Sequence, residues 1–282
     1  ASINSLITQV CDEQAVSPTD IVAVACAGNT TMTHLLLALD PAAIRREPYV
    51  PAAREFPLLR ACELGFEVHP AAPVYLSPCA SSYVGGDITA GVLATGMDDV
   101  DELWLLVDMG TNGEVALGNR DWLTCCSCSA GPAFEGSGLK YGMHATLGAI
   151  ERAEYVPASD RMIVSTIGGA KPRGICGSGL IDLLAGLLQA GAVDRAGRID
   201  LGFQSRRVRI RDEQPEFVVV WGEEVGREDD IVLTEADIEN LIRSKAAVYA
   251  GISVLLDAMG LGPRDLARIN VAGAFGNYLD VE

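Results

Sequence analysis

The sequence predicts an α/β fold divided into two lobes, and three observations support this prediction. The second half of the chain alternates short β-branched apolar runs with longer stretches at helical spacing. The chain has 282 residues, 49% of them hydrophobic, which is enough for more than one small core. An acidic segment at 98–102 marks a boundary. We therefore expect residues 1–102 to form part of the first lobe and residues 103–282 to form the second.

The elements expected in the first lobe follow from periodicity and from breaker residues. Proline-rich stretches without periodicity predict irregular structure, whereas short β-branched runs predict buried strands. In chain order the sequence predicts a helix over 3–15, a buried strand over 21–26, a helix over 31–39, an irregular stretch over 41–78 with an extended piece at 74–76, and a helix over 88–95.

The second lobe is expected to begin with two strands joined by a tight turn. Thr234, with Asp237 three residues later, is typical of a helix N-cap. In chain order we expect strands over 103–108 and 114–119, a glycine-rich stretch over 130–142, a helix over 180–190 opened by Gly177-Ser178-Gly179, strands over 217–221 and 231–233, a long helix from 235 to about 259, and a last strand over 269–272.

Composition excludes several classes of protein. The formal charge of −17 opposes the counterion release that drives nucleic-acid binding. No apolar window is long enough for a membrane helix, and the first residues lack a signal-peptide pattern. We therefore expect a cytoplasmic protein that binds neither nucleic acid nor membrane.

The eight cysteines include one cluster, Cys125, Cys126 and Cys128. Adjacent residues on a strand point to opposite faces, and no second C-x-x-C pair completes a set of four ligands. Structural thiols are therefore the favoured interpretation, and metal ligands are the alternative.

The sharpest local motif lies at 105–114, where an apolar strand ends at Asp108 and a glycine-containing turn follows. Such a turn can bring backbone N–H groups against phosphate while the aspartate holds Mg²⁺ through water. An ordinary hairpin turn is an equally good interpretation, because Asn112-Gly113 is a favoured hairpin dipeptide. Near the end of the chain, Gly273 and Gly276 follow the last strand, where glycine lets a base or sugar approach closely. The alternative there is a tight strand-to-helix turn.

Three other positions are candidates with a second interpretation each. Asn29 and Thr30 follow a buried strand, so they either cap the next helix or face a cleft. Glu135 lies in a glycine-rich loop, where it orients water, holds a ribose or is simply solvated. The turn Gly177-Ser178 at a helix start suits an anion, although glycine there also permits close packing.

Five stretches together resemble a known family: AGNTTMTHLLLALDP, DMGTNGE, SAGPAFEGSGLKYGM, GICGSGLIDLLAGLL and VAGAFGNYLD. In this order they are similar to the carboxy-terminal domain of the reductive activators of corrinoid-dependent enzymes. That domain belongs to the superfamily of acetate and sugar kinases, heat-shock chaperones and actin. The resemblance implies a ribonuclease-H-like, two-lobe ATPase fold of the actin/hexokinase type.

The resemblance also implies a function. ATP turnover would drive an electron from an iron–sulfur cluster, in an amino-terminal domain outside this chain, to a Co(II) corrinoid protein of a methyltransferase system, giving Co(I). ATP and Mg²⁺ are the implied cofactors, and a homodimer is a compatible assembly. Carried onto this sequence, the second phosphate loop comprises Asp108, Gly110, Thr111, Asn112 and Gly113, with Asp108 as the magnesium-water partner. Gly273 and Gly276 correspond to the adenosine-contacting glycines.

The sequence departs from the family pattern in two respects. The family's first phosphate loop, an Asp-x-Gly-Thr-Thr turn, has no counterpart here, and neither does its iron–sulfur domain. We therefore expect the complete nucleotide site to lie partly outside the given residues. A small-molecule kinase of the same superfamily and a non-catalytic docking module remain alternatives, and phosphate release without an acceptor, stimulated by a corrinoid protein, distinguishes them from the activator.

Overall fold

The computed structural model describes residues 2–273. Within this part of the chain the α-helices are α1 (Ser2–Gln14), α2 (Thr30–Leu36), α3 (Gly86–Thr95), α4 (Gly177–Ala190), α5 (Gly222–Val225) and α6 (Glu235–Ala258). The strands are β1 (Val24–Cys26), β2 (Leu59–Arg60), β3 (Pro73–Leu76), β4 (Trp104–Met109), β5 (Gly113–Gly118), β6 (Leu123–Cys128), β7 (Ala149–Val156), β8 (Arg161–Thr166), β9 (Gly174–Ile175), β10 (Val208–Arg211), β11 (Gln214–Val220), β12 (Ile231–Thr234) and β13 (Arg268–Ala272). None of the described helices is long and apolar enough to cross a membrane.

The strands form four small sheets. Their strand orders are β1-β3-β2, β13-β4-β5-β6, β8-β7-β9 and β10-β11-β12. Parallel pairs join β1 to β3 and β7 to β9, whereas β2–β3, β7–β8, β10–β11 and β11–β12 are antiparallel. The last described strand, β13, therefore lies beside β4, although more than 150 residues separate them in sequence.

Packing divides the described residues into two compact units. Unit 1 contains residues 2–106, 116–126 and 266–268, and unit 2 contains residues 107–115, 127–265 and 269–273. The predicted division into lobes at 102/103 remains a prediction.

In unit 1 a small apolar core covers the sheet β1-β3-β2. Phe66, Val74 and Leu76 are buried in this core, and Ile7 of α1 packs against it. The Asn4 side chain also holds α1 in place, because it donates to Gly65 O at 2.9 Å and accepts from Glu67 N at 3.2 Å. The amphipathic first helix therefore has both an apolar and a polar attachment to this unit.

In unit 2 an apolar core lies between α4, α6 and the sheets β8-β7-β9 and β10-β11-β12. Leu183 and Leu187 of α4 are fully buried, as is Phe217 of β11. Helix α4 approaches β7 closely at Gly179, where an added Cβ would lie 2.3 Å from Ile150 O. The Gly177-Ser178-Gly179 turn thus permits close helix-to-strand packing, one of the two interpretations that the sequence left open.

Most predicted elements are present with shifted ends. The capping box of Thr234 and Asp237 is confirmed, because each side chain accepts from the other residue's backbone N–H. The extended piece at 74–76 is β3. Strands β2, β6, β7, β8, β9 and β10 and the short helix α5 were not predicted.

Candidate functional site

The turn after β4 forms one wall of the site. Leu105, Leu106 and Val107 are buried, and the strand then delivers Asp108 to a partly buried position at its end. On the far side of the turn Gly113 begins β5, where an added Cβ would lie 2.6 Å from Val248 Cγ2 of α6. The turn is thereby fixed against the long helix, and Gly113 has a packing role.

A cavity of about 360 Å³ lies against this turn. All of its lining residues belong to unit 2. The lining includes five of the residues singled out from the sequence, together with His144 and apolar walls from Met109, Phe134, Met143 and Ala145. The five are Asp108, Gly110, Glu135, Gly177 and Gly273.

Gly273 closes one side of the cavity beside Asp108. Its φ is +116°, and an added Cβ would lie 2.5 Å from Met109 O and 3.3 Å from Asp108 Oδ1. No other residue type fits there without displacing the backbone of β4. Glycine is therefore required for steric reasons at this position after the last described strand.

Glu135 forms another wall and is held by Thr111, which lies in the turn after β4. It ends a short 3₁₀ helix, Pro132–Glu135, flanked by Gly131 and Gly136 in positive-φ conformations. Thr111 Oγ1 donates to Glu135 Oε1 at 2.9 Å and is 3.0 Å from Oε2. Glu135 is therefore not a freely solvated loop residue.

The amino terminus of α4 faces the same cavity at Gly177. Its N-cap residue, Cys176, supplies no side-chain cap, and its thiol donates instead to Ile150 O at 3.2 Å. Backbone N–H groups in the first turn of a helix favour binding of an anion when no side chain caps them. Ser178 does not line the cavity; it is buried, with its hydroxyl 3.5 Å from Cys176 Sγ.

Asn29 and Thr30 belong to unit 1 and do not line this cavity. The Asn29 side chain caps α2 by accepting from Met32 N at 2.8 Å, and Thr30 is buried and donates to Ser81 O at 2.7 Å. The capping interpretation therefore holds for Asn29.

Two other predicted residues have different outcomes. Asn112 is exposed, and its carbonyl oxygen accepts from Gly110 N at 2.9 Å, so the turn closes on itself. Gly276 lies outside the described residues.

The cysteine cluster lies on β6. Within residues 2–273 no group of three or more His, Cys, Asp or Glu side chains is placed to hold a metal ion. Burial raises the pKa of the Cys125 thiol above its ordinary value, which favours the neutral form over a thiolate ligand.

A second, apolar cavity that the sequence did not predict adjoins the first. It has a volume of about 490 Å³ and shares Met109 and Phe134 with the polar cavity. Its other walls come from one side of α4, from α6 and from Val271, with Lys245 and Asp194 among the lining residues. The sequence signal was the apolar face of α4, which alone does not distinguish a cavity wall from a packed core.

Comparison with known proteins assigns the family. Residues 102–282 match the family described as the C-terminal domain of RACo, the ASKHA domain, and residues 1–100 match the RACo middle region. The chain is 34% identical over 287 residues to the corrinoid activation enzyme RamQ of Eubacterium limosum, covering 99% of this chain and 48% of that protein. It is 26% identical over 229 residues to the Co(II) methylated amine-specific corrinoid protein reductase of Methanosarcina barkeri, covering 74% of this chain and 38% of that protein.

A solved structure, described as a reductive activator for corrinoid, iron–sulfur protein, has the same fold with a TM-score of 0.88 at 53% identity. The match covers 98% of this chain and 44% of that one. This chain thus spans less than half the length of each of these relatives. The matches confirm the predicted fold class and the resemblance on which it rested. The chain belongs to the RACo family, in which it corresponds to the middle region and the C-terminal ASKHA domain.

Proposed function

We propose that this chain binds MgATP and forms the nucleotide-binding part of an activator that reduces the Co(II) of a corrinoid protein to Co(I). Membership of the RACo family supports the proposal, as do the names of its relatives, an activation enzyme, a reductase and a reductive activator for corrinoid proteins. Because the chain spans less than half of each relative, the activity is proposed for the complete protein.

The observation that carries the proposal is the meeting of three different features at one cavity. Carboxylates of Asp108 and Glu135, the glycines at 110 and 273, and the uncapped start of α4 come from segments far apart in the sequence. Each alone has a purely structural explanation. Together they provide oxygen ligands, close backbone approach and N–H donors, which are the requirements of a metal-bound polyphosphate.

Asp108 is the residue that would hold Mg²⁺ through its waters. Mg²⁺ prefers oxygen ligands and usually binds through one or two carboxylates together with substrate phosphates. Bound there, it would neutralise charge on the phosphates. The first turn of α4 at Gly177 supplies N–H groups for a phosphate oxygen, whereas the N–H of Gly110 is already donated to Asn112 O.

We place the adenine base in the apolar cavity that adjoins the polar one at Met109 and Phe134. The faces of a purine are apolar, and pockets for such ligands are mostly apolar with a few polar groups. Phosphates in the polar cavity and the base in the apolar one would bring the ribose near Gly273.

The proposed electron donor is an iron–sulfur cluster in an amino-terminal domain of the complete protein, outside this chain. The electron reduces Co(II) to Co(I), and ATP hydrolysis to ADP and phosphate supplies the driving force. The proposed acceptor is a corrinoid protein of a methyltransferase system, encountered in the cytoplasm. The formal charge of −17 favours an acceptor surface with basic groups.

The site assignment is tested with Asp108→Asn in the full gene product. We expect ATP turnover to fall about 100-fold, because the amide removes the anionic metal partner, while the thermal unfolding midpoint stays unchanged. Asp257→Asn, at an exposed position of α6 away from the cavity, is the matched control and should retain turnover. Equal turnover in Asp108→Asn and wild type would refute the assignment.

The same assay separates the alternative functions. Phosphate release that needs no acceptor and rises with a Co(II) corrinoid protein supports the activator. Turnover that depends on an added small-molecule hydroxyl acceptor would indicate a kinase, and no turnover would indicate a docking module.

A further inference from the structure

The position of the Thr111 hydroxyl determines which group accepts its hydrogen bond. Its oxygen lies 2.9 Å from one oxygen of Glu135 and 3.0 Å from the other. An ionised carboxylate only accepts hydrogen bonds, so Thr111 is the donor. Its single hydroxyl hydrogen is shared between the two oxygens of Glu135. Phosphate oxygens also only accept. While Thr111 donates to Glu135, it has no hydrogen left for a phosphate.

We propose that Thr111 is a positioning residue for Glu135, and that Glu135 orients the water that attacks the γ-phosphate. This inference rests on the proposed ATPase function and deepens it. It changes the role that the family resemblance assigns to Thr111, from contacting phosphate to fixing a carboxylate.

The location of Glu135 supports this role. Beside the polar cavity lies a further cavity of about 450 Å³, and Glu135, Met143 and His144 line both. Glu135 therefore borders both the cavity that we assign to the phosphates and a second cavity with room for water. A group that orients an attacking water needs access to both.

Both ends of the Glu135 segment are fixed. Thr111 holds the carboxylate, and Gly136, at φ +79°, brings the backbone so close to residue 143 that an added Cβ would lie 2.3 Å from Met143 N. Ser137 N also donates to Pro132 O at 3.1 Å across the 3₁₀ turn. A rigidly held carboxylate is what positioning of a water molecule requires.

The oxygen of the water bound by Glu135 forms a bond to the γ-phosphorus, and the bond from that phosphorus to the β–γ bridging oxygen breaks. ADP leaves with the electron pair. One proton of the water passes to the Glu135 carboxylate and from there to solvent through the 450 Å³ cavity.

The test compares Thr111→Val, which removes the hydroxyl at nearly constant volume, with Thr111→Ser, which keeps it. In the full gene product we expect Thr111→Val to lower kcat for ATP at least about tenfold and to leave KM within about twofold, because water positioning acts on the transition state. Thr111→Ser should restore most of kcat.

Thr8→Val, on the exposed surface of α1, is the matched control and should change neither parameter. Unchanged kcat with a raised KM in Thr111→Val would overturn the inference, because it would mean that Thr111 contacts phosphate, and it would leave the proposed function intact. Absence of ATP turnover in the wild type would instead defeat the proposed function, and this inference with it.

Discussion

Gly273 occupies a position where its positive φ and the closeness of β4 both require glycine. In Gly273→Ala the methyl group would enter at φ +116° and 2.5 Å from Met109 O. We expect a loss of about 1–3 kcal/mol in the free energy of unfolding, with weaker ATP binding because β4 and Asp108 must shift. Urea denaturation and nucleotide titration measure the two effects.

Gly262→Ala is the control for this substitution, because an added Cβ there meets only Asp265 Oδ2 at 3.8 Å and no positive φ is required. Equal stability of the two variants would contradict the steric role of Gly273.

The residues around the polar cavity could be proposed from the sequence because each follows a recognisable local pattern. Asp108 ends a buried strand, Gly177 begins a helix, and Gly273 follows the last predicted strand. Such positions lie at the ends of elements, where ligands meet α/β folds. Their meeting at one cavity required the tertiary structure.

The side-chain partners could not be predicted in the same way. Thr30 bonds to Ser81, and Thr111 bonds to Glu135, across 51 and 24 residues of sequence respectively. A hydroxyl beside a glycine turn has the same sequence signature whether it faces a ligand or a distant protein group. For this reason the sequence left open whether Thr30 caps its helix or faces a cleft, and it gave no sign that the Thr30 hydroxyl donates to Ser81 O.

At the scale of elements, the β7–β8 turn is held to a distant loop by one carboxylate. Asp160, at φ +50°, accepts hydrogen bonds from Tyr155 OH at 2.9 Å, Ser205 Oγ at 2.5 Å and Arg206 N at 3.1 Å. Burial alone would raise the pKa of Asp160, but these hydrogen bonds outweigh it and hold the pKa below the ordinary value of 3.8. The charged form is therefore the one that ties the turn to residues 205 and 206.

This arrangement predicts a pH dependence of stability. Because the folded-state pKa is depressed, the contribution of Asp160 is complete well above pH 3.8 and is lost as the pH falls through the folded-state pKa. Asp160→Asn should lower the free energy of unfolding at pH 7 by about 1–3 kcal/mol and reduce the further loss on acidification. Urea denaturation at pH 7 and at a pH below 3.8 measures the free energy of unfolding in each state of Asp160.

Asp212→Asn serves as the comparison, since Asp212 also has a positive φ in a β-turn but is exposed. If both variants showed the same pH dependence, the assignment to Asp160 would be wrong.

Among the elements, helices with strong caps were predictable and polar strands were not. Helix α6 has a capping box and long helical periodicity, so both its start and its length were close to the prediction. Strand β7 carries Glu151, Arg152 and Glu154 beside its apolar residues, and β6 is rich in cysteine and hydroxyl groups. Such strands are stabilised by their neighbours in the sheet more than by their own composition.

At the scale of the whole chain, the predicted fold class rested on five motifs in a fixed order, and the family match over residues 1–100 and 102–282 confirms it. Periodicity alone predicted only an α/β protein, because many α/β folds share the same alternation of strands and helices. The proposed function followed from the same motifs, since the chemistry of the candidate site would suit any metal-bound polyphosphate.

In the proposed function, ATP turnover by the complete protein drives the reduction of a corrinoid cobalt. Its most direct test is the visible absorbance of a Co(II) corrinoid protein mixed anaerobically with the full gene product and a low-potential electron donor, with and without MgATP. We predict that Co(I) forms only with MgATP and that Asp108→Asn does not form it. Co(I) formation at equal yield without MgATP, or ATP turnover that yields no Co(I), would contradict the proposed function.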